Sequence, residues 1–442
     1  MKPGRMQRAV PLPLVFAVLA ILMPSAAFSS SPPPDALESD PVKMGWMIGS
    51  PPPPERMIRF EDGSYFQFPQ MRWSVAHFRE LMPTTNVSRG LGAPSTLARA
   101  LQPGIDKVSF VPTGSERPMT WGDSLLVNYT DGIVVLHKGR VVYERFFGAL
   151  KPDGQHAAMS VTKTFVGTLA AMMVAEGTLD PERKVVEYVP ELGKSAFGSA
   201  TVRQLMDMTT GIRFSENYAD PKADVWAHAA AGNPLPKPQD YTGPRSYHEY
   251  LQTVQPEGAH GEAFHYRTVN TDALGWVLAR VSGKNVAQLL SERIWSKLGA
   301  EQDAYMTVDS TGTPFAGGGL NAGLRDLARF GEMIRNDGRY NGQQILPKAA
   351  IDDIRRGASK EDFAKAGYPQ LAGWSYHAMW WHTHNEHGAF MARGVFGQSL
   401  YVDPKAEVVI ARFASHPTAA NAANDATTLP AYDAVARYLM SR

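Results

Sequence analysis

The sequence predicts a mixed α/β fold of the α+β type, in which helices flank an antiparallel sheet that is built from both chain ends. Apolar runs typical of strands occur early, at Ile133–His137 and Val141–Phe147, and late, at Leu400–Val402 and Val408–Phe413. Residues 180–300, which lie between them, have a mainly helical pattern. Strands at both ends with helices between them indicate a sheet domain that carries an inserted, mainly helical domain.

The early strands lead into a helix that is predicted to be buried. An apolar run at Ser124–Asn128 precedes them, and Lys138-Gly139 is suited to the turn that joins them, so we expect adjacent antiparallel strands. Ser160–Glu176 is apolar almost all round, which is typical of a buried helix. Gly177 is suited to end that helix, and a last helix is expected over residues 429–440.

The N-terminal segment has the features of a cleavable secretory signal over residues 1–27. A basic start is followed by ten apolar residues, Leu14 to Met23, and by small residues at the cleavage point. That run is shorter than the roughly 20 residues that span a bilayer. We therefore expect an exported protein, periplasmic or secreted, with no stable membrane span after cleavage; an uncleaved anchor is the alternative.

Four further segments complete the predicted organisation. Residues 28–69 are a Pro-rich extension, expected to be extended and polyproline-like because eight prolines fall between residues 32 and 54. One helix is expected around Ser74–Met82. The sheet domain comprises residues 70–180 and 310–442, and the helical domain residues 181–309.

Composition excludes several classes of function. The 442 residues include 44 Lys and Arg, 43 Asp and Glu, and no Cys, for a net charge of +1. A dedicated nucleic-acid binder needs a basic surplus on one face, so no nucleic-acid partner is expected. The absence of Cys excludes disulfides, thiolate catalysis and Cys-ligated zinc.

The first candidate for chemistry is Ser160-Val161-Thr162-Lys163, at the start of the predicted buried helix. Residues three apart share a helix face, so Lys163 can reach the Ser160 hydroxyl. The helix N-terminus favours a developing negative charge, and a lysine in an apolar pocket can act as a base. The alternative is a capping serine beside an ordinary lysine.

Two later segments extend this candidate site. Tyr266 lies in a loop before an apolar helical stretch and can relay a proton if the neighbouring lysine lowers its pKa; Asn270 could hold a lysine or a substrate carbonyl. In Gly394–Leu400, small residues open a strand, and the Ser399 N–H could join that of Ser160 in an oxyanion hole. A core tyrosine, a capping asparagine and a simple turn are the alternatives.

Together these motifs resemble the serine β-lactamase and penicillin-binding-protein superfamily. The resemblance is closest to its class C β-lactamase-like branch and, within it, to the 6-aminohexanoate-dimer (nylon-oligomer) hydrolases. It covers roughly residues 70–440 and rests on the order of several motifs: Met159–Lys163, Glu187–Leu192, Asn217–Pro221, Asn270–Asp272, Arg325–Arg329 and Gly397-Gln398.

The resemblance implies a role for each motif residue. Ser160 would be the nucleophile, Lys163 its base and Tyr266 the proton relay, with Tyr218 contacting the substrate amide from a flexible loop. Phe396 stands where the superfamily usually has Lys or His, which argues against β-lactams and carboxylate-terminated peptides. Together with Met391 and Trp380-Trp381 nearby, Phe396 suggests an apolar substrate side. Ala229 stands where the nylon-oligomer hydrolases hold the substrate amine with an aspartate.

These observations predict an exported serine hydrolase that cleaves a small ester or amide through an acyl-enzyme, without cofactor or metal. One rival is a non-catalytic module that binds cell-wall peptides or a partner protein. The other is a metallohydrolase built on the histidines between His377 and His387, because His382 and His384 alternate as strand neighbours do.

Overall fold

The computed structural model describes residues 32–442, so the predicted signal, residues 1–27, lies outside the described residues. The strands are β1 Thr84–Val87, β2 Ser109–Phe110, β3 Met119–Thr120, β4 Thr130–His137, β5 Arg140–Phe146, β6 Gln155–Ala157, β7 Ala304–Thr307, β8 Leu320–Gly323, β9 Arg339–Tyr340, β10 Gln343–Gln344, β11 Ser375–His377, β12 Trp380–His382, β13 Phe390–Gly394, β14 Gln398–Asp403 and β15 Val408–Ala414.

The α-helices surround these strands and fill the middle of the chain. They are α1 Met71–Ser74, α2 Phe78–Leu81, α3 Trp121–Val127, α4 Val161–Ala175, α5 Val185–Tyr188, α6 Val202–Met206, α7 Asp224–Gly232, α8 Tyr247–Thr253, α9 Val269–Ser282, α10 Val286–Leu290, α11 Ser296–Leu298, α12 Leu324–Arg335, α13 Lys348–Arg356, α14 Lys360–Ala364 and α15 Asp425–Met440.

The main sheet confirms that both ends of the chain build one antiparallel layer. Its strand order is β11-β12-β13-β14-β15-β4-β5. The late strand β15 pairs with the early strand β4 along its length, with Ile410 opposite Val135. A second sheet, β1-β7-β8-β6, holds the chain just before Ser160, since the Ala158 N–H donates to the Leu320 carbonyl at 2.8 Å.

Three predicted elements differ from the structure. The apolar run Ser124–Asn128 belongs to helix α3 and not to a strand, because the Thr120 side chain caps the helix by accepting from the Asp123 N–H. The helix expected around Ser74–Met82 is two short helices, α1 and α2. The Pro-rich segment forms turns over much of residues 36–47 and is not extended there.

The helical segment packs onto the sheet within one compact unit, residues 34–442. One hydrophobic cluster contains Val135 of the sheet, Phe165 of α4 and Leu274 of α9. Residues 181–309 are mainly helical, as predicted, although β7 belongs to the second sheet. Among residues 32–442, no helix has both the length and the apolar character needed to cross a bilayer.

The N-terminal extension is held to the sheet by a buried arginine. Arg72, 2% exposed, donates to the Ala36 carbonyl at 2.6 Å and to Ser39 Oγ at 3.0 Å. Its guanidinium also lies 3.3 Å from Asp131 Oδ1 of β4, and Asp131 Oδ2 lies 3.2 Å from His156 Nε2 of β6. The guanidinium therefore joins the extension to the strand that precedes Ser160.

Replacing Arg72 with alanine is expected to lower the free energy of unfolding by about 3 kcal/mol, because the Asp131 carboxylate then stays buried without its cation. Urea denaturation measures this change. The control is Arg59→Ala, whose pair with Glu61 is long, at 3.9 Å, and exposed, so that its loss is expected to cost under about 1 kcal/mol. If both variants lost the same small amount of unfolding free energy, the structural role of Arg72 would be contradicted.

Candidate active site

Ser160 and Lys163 meet at the start of α4, as the sequence predicts. Ser160 occupies the N-cap position of this 15-residue helix, and Lys163 lies three residues later on the same face. Lys163 Nζ donates to Ser160 Oγ at 2.7 Å and to the Gly317 carbonyl at 2.6 Å. Because Lys163 is 1% exposed, its amine is held against the hydroxyl with little access to water.

Burial prepares Lys163 to act as a base. It lowers the pKa of Lys163 to about 8, although the negative charges of Glu216 and Asp272 oppose this effect. With a pKa near 8, roughly one molecule in ten carries the neutral amine at pH 7. The neutral amine can accept the Ser160 proton, so the pair has the chemistry of an activated nucleophile.

Tyr266 completes the group, but in a different state from the one predicted. Burial and the nearby Glu216 raise the pKa of Tyr266 well above its usual value, although a hydrogen bond with Ser160 opposes this. Lys163 Nζ lies 5.2 Å from the centre of the Tyr266 ring, and the ring packs against Trp381 at 5.3 Å. Tyr266 is therefore a phenol at neutral pH and can donate a proton.

Glu216, which the sequence analysis missed, organises the loop beside Tyr266. Its carboxylate accepts from the Thr268 N–H at 2.7 Å, from Thr268 Oγ1 at 2.6 Å and from the Tyr218 hydroxyl at 2.9 Å. Burial and the Glu216 carboxylate raise the pKa of Tyr218 well above its usual value, and the neighbouring Tyr266 adds to this rise. The predicted substrate-contacting tyrosine thus lies beside the Ser160 group.

The backbone at the end of β13 lies next to Ser160. A Cβ atom at Gly394 would lie 3.0 Å from the Ser160 nitrogen and 2.9 Å from the Ala158 carbonyl. Ser399 lies inside β14, paired with Arg393 on one side and Arg412 on the other. The structure therefore brings the end of β13 to the Ser160 amide, whereas Ser399 takes part in strand pairing on both sides of β14.

Two predicted substrate contacts face other parts of the protein. Asn270 is fully buried in α9, and its side-chain oxygen accepts from Thr210 Oγ1 at 2.6 Å, so it reaches neither Lys163 nor solvent. Phe396 is 6% exposed and belongs to a cluster with Met159. Its ring meets that of Phe66 at 5.3 Å, which places it against the N-terminal extension.

A cation near Tyr266 comes from a residue that the sequence analysis did not consider. Arg393 of β13 packs over Trp381 at 5.2 Å and pairs with Asp425 at 2.5 Å. Its charge lowers the pKa of Tyr266, against the larger effect of burial. Phe396 still stands where the superfamily usually has Lys or His, but the cation near Tyr266 comes from Arg393 of the neighbouring strand β13.

The clustered histidines have separate partners. His377 lies between Asp207 at 2.9 Å and Asp353 at 3.2 Å, whereas His387 pairs with Asp403 at 2.8 Å. Burial lowers the pKa of His382 to about 3. Within residues 32–442, no three side chains of the ligating types are grouped to hold a metal ion.

Comparison with known proteins supports the predicted resemblance. Residues 129–432 match the family model for β-lactamase. The 6-aminohexanoate-dimer hydrolase of Paenarthrobacter ureafaciens is 35% identical over 356 residues, which cover 80% of this chain and 88% of that enzyme.

Solved structures agree with this relationship. A Bacillus anthracis protein described as a 6-aminohexanoate-dimer hydrolase has a TM-score of 0.78 and 34% identity, covering 85% of this chain and 96% of its own. A family VIII carboxylesterase has a TM-score of 0.53 and 16% identity, covering 77% of this chain and 99% of its own. At 16% identity, the similarity to the carboxylesterase shows only that the fold is shared.

Proposed function

The chain belongs to the β-lactamase family and is a serine hydrolase related to 6-aminohexanoate-dimer hydrolase, and from this premise we propose that it cleaves a small ester or amide through an acyl-enzyme on Ser160. The observation that carries the proposal is the 2.7 Å contact between Lys163 Nζ and Ser160 Oγ in a buried site. Burial lowers the pKa of Lys163 to about 8, which suits a base that works near neutral pH.

In the first step, Ser160 Oγ attacks the substrate carbonyl carbon while its proton passes to the neutral Lys163 amine. As the tetrahedral intermediate collapses, the bond to the leaving alcohol or amine breaks. The Tyr266 phenol donates a proton to that leaving group and regains one from the Lys163 ammonium. Water then attacks the acyl carbon, Lys163 and Tyr266 return its proton to Ser160 Oγ, and a carboxylic acid is released.

The oxyanion of the tetrahedral intermediate needs two N–H donors. The Ser160 amide, at the N-terminus of α4, supplies the first and gains from the helix dipole. We assign the second to the Val395 amide, which directly follows Gly394 at the end of β13. The absence of a Cβ at Gly394 leaves space beside the Ser160 nitrogen, which supports this placement over the predicted Ser399 amide.

The surroundings of Tyr266, where we place the substrate, include the Trp381 ring and the Arg393 cation. Trp381 packs against Tyr266, and Arg393 packs over Trp381. We therefore propose substrates with an apolar acyl group. Cleavage of linear 6-aminohexanoate dimer is expected to be weak, because Ala229, exposed on α7, supplies no carboxylate for the substrate amine.

A substrate panel tests this proposal directly. It comprises p-nitrophenyl esters of increasing acyl length, the matching p-nitroanilides, a chromogenic cephalosporin and the aminohexanoate dimer. We expect ester hydrolysis that saturates with concentration, favours medium acyl chains and disappears in Ser160→Ala. Hydrolysis that persists in that variant, or no turnover of any ester or amide in the panel, would refute the proposed activity.

Export is a second part of the proposal. It is supported by the basic, apolar and small-residue order of residues 1–27. Expression of the full chain in a Gram-negative host, followed by fractionation and N-terminal sequencing, tests it. A mature chain that begins near residue 28 outside the cytoplasm is expected, and a full-length cytoplasmic chain would contradict export.

A further inference from the structure

A line of buried contacts continues behind Lys163, away from Ser160. Lys163 Nζ donates to the Gly317 carbonyl at 2.6 Å, and the Gly317 N–H donates to Asp272 Oδ1 at 2.9 Å. Asp272 Oδ2 in turn lies 3.0 Å from His228 Nε2 of α7. Asp272 is 5% exposed and His228 is 2% exposed, so this line is shielded from solvent.

We propose that Asp272 is a positioning residue for Lys163. The Asp272 carboxylate fixes the Gly317 carbonyl against the Lys163 amine and places a negative charge behind that amine. The inference rests on the proposed function, because it assigns a purpose to Asp272 only if Lys163 is the base. It adds to that function a residue that does not touch the substrate and acts through Gly317.

The glycine composition of the Gly317 segment explains why it needs such an anchor. Gly317-Gly318-Gly319 is a run of three glycines, the residue type with the greatest backbone freedom. A Cβ at Gly317 would lie 2.4 Å from Thr268 Cγ2 and 3.3 Å from Asp272 Oδ2. Because there is no space for a side chain at this position, a side chain cannot restrain the backbone here. Hydrogen bonds at both the N–H and the carbonyl of Gly317 fix its orientation instead.

The charges that face Lys163 make the effect of Asp272 measurable. Glu216 and Asp272 both oppose the lowering of the Lys163 pKa by burial. The amine also contacts the Ser160 hydroxyl and the Gly317 carbonyl and lies 5.2 Å from the centre of the Tyr266 ring, whose hydroxyl has a pKa well above its usual value. Removing either carboxylate therefore favours the neutral amine.

The groups that face Asp272 come from three helices. Lys163 lies on α4, His228 on α7, and Tyr247 and His248 on α8. Burial raises the pKa of Tyr247 well above its usual value and lowers that of His248, so both are uncharged near pH 8. His228 approaches the carboxylate oxygen that does not accept from Gly317.

The test is the pH profile of kcat/KM for a p-nitrophenyl ester. Asp272→Asn keeps an oxygen for the Gly317 N–H but removes the charge. We expect the midpoint of the acid limb to fall by about one pH unit, the low end for an opposite charge close to an ionisable group. The control is Asp309→Asn. Asp309 is also buried, at 2% exposed, and its carboxylate also accepts from backbone amides, those of Tyr247 and Thr311. Unlike Asp272, it does not face Lys163. Its midpoint should match the wild type.

An unchanged midpoint in Asp272→Asn, with Ser160→Ala inactive, would overturn the role of Asp272 and leave the proposed function standing. Wild-type protein without ester or amide activity would instead refute the proposed function. Circular dichroism confirms folding of each variant. If Asp272→Asn does not fold, Asp272→Ser, which is smaller and keeps a hydroxyl acceptor, is measured in the same way and must show the same fall.

Discussion

Replacing Ser160 with alanine is expected to lower kcat/KM for ester hydrolysis by a factor on the order of 10⁴ to 10⁶, as removal of a catalytic nucleophile does in other serine hydrolases. The variant keeps its fold, because the Ser160 side chain makes no capping hydrogen bond in α4. Initial rates over a range of substrate concentrations, with thermal unfolding as a check, measure both effects.

Ser195→Ala is the matched control for this variant. Ser195 is 8% exposed, as is Ser160, but its hydroxyl donates only to the Leu192 carbonyl at 3.0 Å in the helical segment. The kcat/KM of Ser195→Ala should stay within about twofold of the wild-type value. The corresponding change in activation free energy is well below the roughly 1.4 kcal/mol of a tenfold change. A Ser160→Ala variant that keeps more than a hundredth of the wild-type rate would contradict the assignment.

Replacing Lys163 with methionine is expected to lower kcat/KM by a factor of about 10² to 10⁴, the range that a general base contributes. In the wild type, kcat/KM should rise with pH through about 8, because burial lowers the pKa of Lys163 to about 8 and only the neutral amine accepts the Ser160 proton. Lys163→Met should lose that rise together with the rate.

The control for Lys163 is Lys405→Met. Lys405 Nζ lies 3.4 Å from the Glu386 carbonyl on the exposed surface, so this variant should keep both the rate and the midpoint near 8. A Lys163→Met variant that retains the same acid limb would show that another group accepts the proton, and Tyr266→Phe would then be the next variant to measure.

Local spacing made the centre of the site predictable. Ser160 and Lys163 stand three apart at the start of an apolar helix, so helix geometry alone brings them together, and the structure confirms the contact. The sheet was predictable for a similar reason, because β4, β5, β14 and β15 have clear apolar patterns and pair as expected.

The rest depended on long-range packing that no local pattern reveals. The sequence showed glycines at the start of a strand near Ser399 but not that β13, ending at Gly394, approaches Ser160. Arg393 escaped notice because its proximity to Tyr266 depends on that strand assignment. Asp272 and Gly317 are 45 residues apart, and no local pattern links them, although Asp272 belongs to a motif of the resemblance.

The site also depends on parts of the chain that have no chemistry of their own. Met159, directly before Ser160, has a φ of 46°, a left-handed conformation that is costly for a side chain of this size. Its side chain packs in a cluster with Met71 and Phe396, and Phe396 contacts Phe66. The N-terminal extension therefore supports the turn that presents the nucleophile.

The measurement that tests the central claim most directly is intact mass after incubation with a fluorophosphonate, which forms a phosphorus–oxygen bond with an activated serine and releases fluoride. The wild type should gain the mass of one phosphonyl group, faster above pH 8 than below it, while Ser160→Ala gains none and Ser195→Ala behaves as the wild type. An adduct that persists in Ser160→Ala, or a wild type that hydrolyses esters yet gains no mass, would contradict an acyl-enzyme on Ser160.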